Sequence, residues 1–143
     1  MLLSRLVFFS TRAWNPADEP VPGRHLEEIL DAGRRNNPAA GISGVLVVDD
    51  NVFMQVLEGP RARITTTFLR IAVDVRHKDV VLAGMEEISD RMFESWHVYM
   101  RRAPGESGRP AWFGAPDVET CSGFLERIRG ALQSGDVLAP VGD

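Results

Sequence analysis

Residues 51–59 read NVFMQVLEG, and no other stretch limits the fold as tightly. Val52, Phe53, Met54, Val56 and Leu57 surround a single amide, Gln55, and Gly59-Pro60 closes the run. A short apolar run with such a boundary predicts a strand buried on both faces. On that strand Gln55 shares its face with Phe53 and Leu57. A buried amide without partners costs roughly 1–3 kcal/mol, so Gln55 needs one. Neighbouring backbone satisfies that need as well as a ligand with donors and acceptors does.

The rest of the chain falls into place around this strand. ISGVLVV (42–48) is a second strand, and Asp49-Asp50-Asn51 turns it tightly into the first, making a hairpin. Residues 3–10 (LSRLVFFS) predict a strand, and 11–23, with three prolines, a loop. A helix follows with Leu26, Ile29, Leu30 and Gly33 on its inner stripe. Asn36-Asn37-Pro38 is expected to end it, because the residue before proline leaves the helical region. After Gly59-Pro60, Ile64, Phe68, Ile71 and Val75 mark one face of a second helix that ends in Asp74-Val75-Arg76-His77. Strands over about 79–88 and 95–102 complete the order βαββαββ. Two crossover helices that each join strands of one sheet imply an α+β, ferredoxin-like sandwich. Both helices then cover one face of a mixed five-stranded sheet. Residues 1–102 form this domain. Residues 103–143 are an appendage: a linker rich in proline and glycine, with Trp112 and Phe113 packing back on the domain, and a C-terminal helix built on Cys121, Phe124, Leu125, Ile128 and Leu132.

Bulk properties remove several function classes. The chain has 143 residues, a net charge of −4 and a pI near 5.4, so nothing draws it to nucleic acid or an anionic membrane. No apolar run approaches the ~18–20 residues of a membrane span, and MLLSRLVFF is too short in its apolar part for a secretory leader. The lone Cys121 excludes an internal disulfide and a cysteine metal cluster, and suits a reducing cytoplasm. An enzyme on this fold, such as an acyl-phosphate hydrolase, would need a glycine-rich phosphate loop or a Ser/His/Asp or Cys/His set. The sequence spaces none of these.

Polar residues recur at definite places on the expected elements. Asn36-Asn37-Pro38 precedes Gly41-Ile42-Ser43-Gly44; the third strand holds FMQVLEG; Asp74-Val75-Arg76-His77 follows the second helix; Arg91-Met92-Phe93 precedes Trp96. In this order and spacing, residues 3 to about 102 resemble the BLUF domain, the family of blue-light sensors that use flavin. The resemblance implies the same βαββαββ fold with FAD slotted between the two helices. It makes Gln55 the ring contact, since an amide both donates and accepts. It places Asn37 at the flavin carbonyl edge and Asn36 beside the ring or ribityl chain, where a helix C-cap is the plain alternative. It sets Arg76 and His77 near the ring and ribityl chain, although cations at a helix C-terminus also complement the macrodipole. Asp74 would be a ribityl-side acceptor or simply a surface carboxylate. Trp96 would lie near the flavin, or be a core residue with its N–H on backbone. His25 and His97 read as surface residues.

Two positions depart from the family pattern. The first strand of photoactive members carries a tyrosine that faces the glutamine and passes an electron and a proton to excited flavin. Counted from Arg5-Leu6, that position here is Phe8, with Phe9 behind it, and the sole tyrosine, Tyr99, lies on the fifth strand facing away. Val98 stands where members often carry methionine, and a branched side chain lacks methionine's freedom. The resemblance therefore implies FAD binding with the conventional photocycle impaired. A chain of this length without an output domain is expected to signal through a protein partner or as a homo-oligomer. The alternative is a light-blind interaction module that has lost flavin.

Overall fold

The run around Gln55 forms β3 (Val52–Pro60), and every residue from Val52 to Gly59 is buried. Two sheet neighbours and two covered faces produce that burial. In the computed structural model, which describes residues 2–49, 51–100 and 125–126 without the side chains of Asp49, Tyr99 and Met100, β3 is the middle strand of five. The other elements are β1 (Leu3–Arg12), α1 (Arg24–Ala39), β2 (Ser43–Asp49), α2 (Arg61–Ala72), β4 (His77–Ile88) and β5 (Trp96–Met100). The sheet order is β4-β1-β3-β2-β5. β3 pairs antiparallel with β1 and β2, β4 antiparallel with β1, and β5 parallel with β2. This is the expected mixed sheet with two helices on it. The expected linker, Trp112-Phe113 and Cys121 lie outside the described residues, as does the expected terminal helix except for helical Leu125-Glu126.

Alternation along the strands builds two apolar layers. Leu6, Phe8, Leu46, Phe53, Leu57 and Val98 pack against Ile29 and Leu30 of α1 or Ile64 of α2. Val7, Phe9, Val45, Val47, Met54 and Val56 point to the opposite face, where Phe93 and Leu125 cover them. On the helix side the registers place Phe8, Gln55, Leu46 and Val98 in one row across four strands. The next row runs Leu6, Leu57, Gly44, Trp96. Gly44 is required there: at φ +143° a Cβ would fall 1.8 Å from the Val56 carbonyl oxygen.

Two helix ends differ from expectation. α1 does not stop at Asn36-Asn37 but continues through Pro38 to Ala39. Pro38 lies in the last turn, where its missing N–H costs a single bond. The stop comes at Gly41, whose φ of +73° is the left-handed position that glycine adopts freely. The Ala40 N–H donates to the Asn36 and Asn37 carbonyls, the Gly41 N–H to that of Pro38, and the Ile42 N–H to that of Asn37. Backbone alone thus closes the helix, and the two asparagine side chains are not its caps. α2 ends at Ala72, so Val75 is not on its inner face; it is 87% exposed. Asp74 begins a turn that delivers His77 as the first residue of β4, and the macrodipole reading of Arg76 and His77 falls away.

β4 and β5 lie at opposite borders, so the connection 89–95 must cross the end of the sheet. Glu58 holds it there. This carboxylate is fully buried, accepts from Arg5 Nε at 2.8 Å and from the backbone N–H groups of Met92 and Phe93 at 3.0 and 2.8 Å, and pairs with Arg5 Nη2 at 2.7 Å. Arg91 adds donations to Ser43 Oγ and to the Glu58 and Gly41 carbonyls. β4 itself is irregular: its pairing with β1 shifts register twice, and Asp79 has a φ of +50°. Among the described residues no helix is long and apolar enough to cross a membrane.

Glu58→Gln keeps the shape of this clamp and removes its charge. Removing one partner of a buried ion pair costs about 3–5 kcal/mol, and the second contact of Arg5 with Glu86 places the expected loss near the low end. Urea unfolding should show a lower midpoint at an unchanged slope.

Candidate functional site

α1 and α2 lie side by side on the sheet and leave a cleft between them. Helical spacing aims Ile29, Gly33, Asn36 and Asn37 from α1 and Thr67, Arg70 and Ile71 from α2 into it, while Leu46, Gln55 and Trp96 form its floor. Asp74, Arg76 and His77 close one end. The slot has a cavity volume of about 110 Å³, or about 600 Å³ once the solvent at its mouth is counted, and it opens to that solvent. Seven of the eight residues singled out in the sequence line it. The eighth, Phe8, is fully buried beside Gln55 in the register and meets Phe68 edge-on at 5.1 Å.

Three polar side chains on this slot lack protein partners. Gln55 is 3% exposed and Asn37 4%, and among the described residues neither side-chain amide makes a hydrogen bond. The buried Trp96 Nε1 also has none. A Cβ placed on Gly33 would lie 3.3 Å from Trp96 Nε1 and 3.6 Å from Asn37 Nδ2, so the two groups converge over that glycine. The plain alternatives, a core amide on backbone and an indole N–H on backbone, are not what the structure contains. Buried polar groups are almost always satisfied. Two amides that donate and accept, plus one indole donor, suit a planar heterocycle whose rim carries both kinds of group.

The closed end is satisfied internally. Arg76 donates through Nε and Nη2 to the Asp74 carboxylate, at 3.0 and 2.6 Å, and its backbone N–H reaches Asp74 Oδ1 at 2.9 Å. The guanidinium beside it holds the Asp74 carboxyl below the usual range and raises Arg76 in turn. His77 Nδ1 lies 2.8 Å from Ser10 Oγ, and the ring packs on Phe53 at 5.0 Å. Burial pushes the His77 pKa down, which favours the neutral imidazole.

The family model for BLUF, described as sensors of blue light using FAD, matches residues 3–99. The chain belongs to the BLUF family. That family is one of blue-light sensors that use flavin, a sensory and not a catalytic domain. It is 33% identical over 79 residues to the photoactivated adenylate cyclase subunit beta of Euglena gracilis, a match covering 55% of this chain and 9% of that protein. It is also 33% identical over 64 residues to the blue light- and temperature-regulated antirepressor BluF of Escherichia coli K12, covering 45% of this chain and 15% of that protein. The chain thus spans less than a tenth of the cyclase. Among solved structures, the photo-activated state of BlsA superposes with a TM-score of 0.73 at 27% identity, over 91% of this chain and 94% of that one. The dark state of BlrB, a BLUF protein, gives 0.70 at 24%, over 94% and 97%.

In this BLUF domain the sequence reading missed Ala32, Thr67 and Arg70. Thr67 and Arg70 had a usable signal: they sit three residues apart, with Thr67 one turn before Ile71, on the inner stripe of α2. Glu58 was quoted within FMQVLEG, but its task was not seen, because its partners lie 53 and 34 residues away.

The depressed His77 pKa fixes a pH dependence. The unfolded imidazole binds a proton near its ordinary pKa and the folded one resists it, so the unfolded state holds more protons below that point. Stability should be flat at neutral pH and above, then fall as pH drops from about 6.5 toward the lower folded value. Thermal unfolding across this range should show the step, and His77→Gln should remove it.

Proposed function

We propose that this chain is an FAD-binding blue-light sensor domain whose flavin ring lies in the slot between α1 and α2, and whose conventional light response is impaired. The meeting of three unpartnered polar side chains, Gln55, Asn37 and Trp96, on one slot carries this reading. Gln55 and Asn37 would hold the ring's polar rim and Asn36 its flank. The Arg76–Asp74 pair and neutral His77 would border the ring and ribityl end. Bound flavin would supply the blue-absorbing chromophore.

The impairment rests on Phe8. Its register opposite Gln55 is where a tyrosine hydroxyl would fix the amide. A phenyl ring has no O–H, so it can neither hold Gln55 in one orientation nor pass it a proton. Val98 sits in the same row, 6% exposed beside Leu46, and its β-branch limits the movement available to β5. Output would pass to a protein partner or a second copy of the chain. The single cysteine and the charge balance are in keeping with the cytoplasm.

Purified protein should be yellow, and acid should release FAD from it. Gln55→Leu should weaken flavin uptake about tenfold, the worth of one or two hydrogen bonds at about 1 kcal/mol each. Colourless protein that takes up no added flavin would instead favour a light-blind interaction module. Blue illumination should give little or no reversible red shift in the parent chain, whereas Phe8→Tyr should install one. A full red shift in the parent would overturn the impairment.

A further inference from the structure

β4 reads HKDVVLAGMEEI, and its face toward the helices is only partly covered. Val80 packs under α2 beside Ile64, Phe68 and Ile71. Leu82, opposite Phe8, and Met85, opposite Leu6, lie on that same face further along the strand and are exposed. The outer side of α2 carries a second bare pair. Leu69 lies two turns beyond Arg61, on the side of the helix that reaches Glu87 of β4. It is exposed, and so is Val73 one turn on, whose N–H donates to the Leu69 carbonyl. Single exposed apolar residues are ordinary, but four gathered along one border of a small domain mark a contact surface.

The charges at the two ends of this patch identify its occupant. At one end Glu87 pairs with Arg61 at 3.5 Å, and both side chains are more than half exposed. At the other stand Lys78 and Asp79, also exposed. Each end thus holds one cation and one anion, so a partner of uniform charge gains nothing from the pair. A second copy turned end for end gains at both ends: its Glu87 meets Lys78 and its Arg61 meets Asp79, and the reverse pairs form at the far end. Lys78 and Glu87 are about 30 Å apart along the strand, with Leu82 and Met85 between them, so the matched charges bracket an apolar centre. The described piece of the C-terminal segment does not compete for this patch, because Leu125 covers the opposite face of the sheet.

We propose that Leu69 and Val73 of α2, with Leu82 and Met85 of β4, form a two-fold contact between two copies of this chain, closed at each end by Lys78–Glu87 and Asp79–Arg61 pairs. The contact rests on the second-copy arm of the output reading above, and its residues do not line the flavin slot. Four side chains make a smaller apolar centre than the roughly 800 Å² per partner of a standard interface, so the dimer is a micromolar one.

Sedimentation equilibrium of the full chain, with and without flavin, tests it. The parent should pass from monomer to dimer as its concentration rises through the micromolar range, and should form nothing larger. Leu69→Lys with Leu82→Lys should weaken the dimer roughly tenfold or more, while circular dichroism and flavin uptake match the parent. Lys78→Glu and Glu87→Lys should each weaken it through like charges at both ends. An equimolar mixture of those two variants should recover the dimer, since every Lys78–Glu87 position then holds opposite signs. A parent that stays monomeric up to about 1 mM would overturn the proposal and leave the face to another protein. So would a Leu69 and Leu82 double variant that still dimerises, or a mixture no tighter than either charge variant alone. A parent that dimerises but takes up no flavin would overturn the flavin reading and leave this contact standing.

Discussion

The central strand has no free side. β3 is bonded along both edges, to β1 and to β2, and each of its faces is covered by apolar side chains. Its main chain is therefore fully committed, and any polar side chain on it must find satisfaction locally or do without. Two of them solve the problem in opposite ways. Glu58, facing away from the helices, collects a guanidinium and two backbone N–H groups and becomes a fixed post. Gln55, facing the helices, is left with an open gap above it. The same sealed strand thus provides a rigid anchor at one end and an unsatisfied amide in its middle.

What could be read from the sequence follows the range of the interactions involved. Gln55 stood out because a lone amide in an apolar run has a cost that local pattern reveals. The order of elements along the chain was legible because two hydrophobic periods, near 2 and near 3.6, alternate along it. Helix ends were less legible. The rule about the residue before proline placed a stop at Asn37, but the stop is set by the left-handed backbone at Gly41, three positions after a proline that the last turn tolerates. Val75 continued the +4, +3, +4 rhythm on paper although the helix had already ended. Periodicity carries no information about where the hydrogen bonds cease.

Distance along the chain hid the remainder. Asp74 and Arg76 are two residues apart and their pairing could have been inferred from a turn; read as helix, they looked like separate ligands. The Glu58 clamp joins residues from β1, β3 and the 89–95 crossing, and no local window contains them. Unpaired status is similarly global. Arg63 and Arg70 of α2 stand apart only once Arg61 is seen to be held by Glu87.

The shifts of register in β4 and the left-handed backbone at Asp79 have a consequence for how copies of this molecule meet. A straight outer strand invites a neighbour's backbone to continue the ladder, and stacks of that kind grow without limit. Here the border is bent, with charged Lys78, Asp79, Glu86 and Glu87 exposed along it. That margin offers a neighbour's backbone no regular run to extend, even though Leu82 and Met85 are exposed on it.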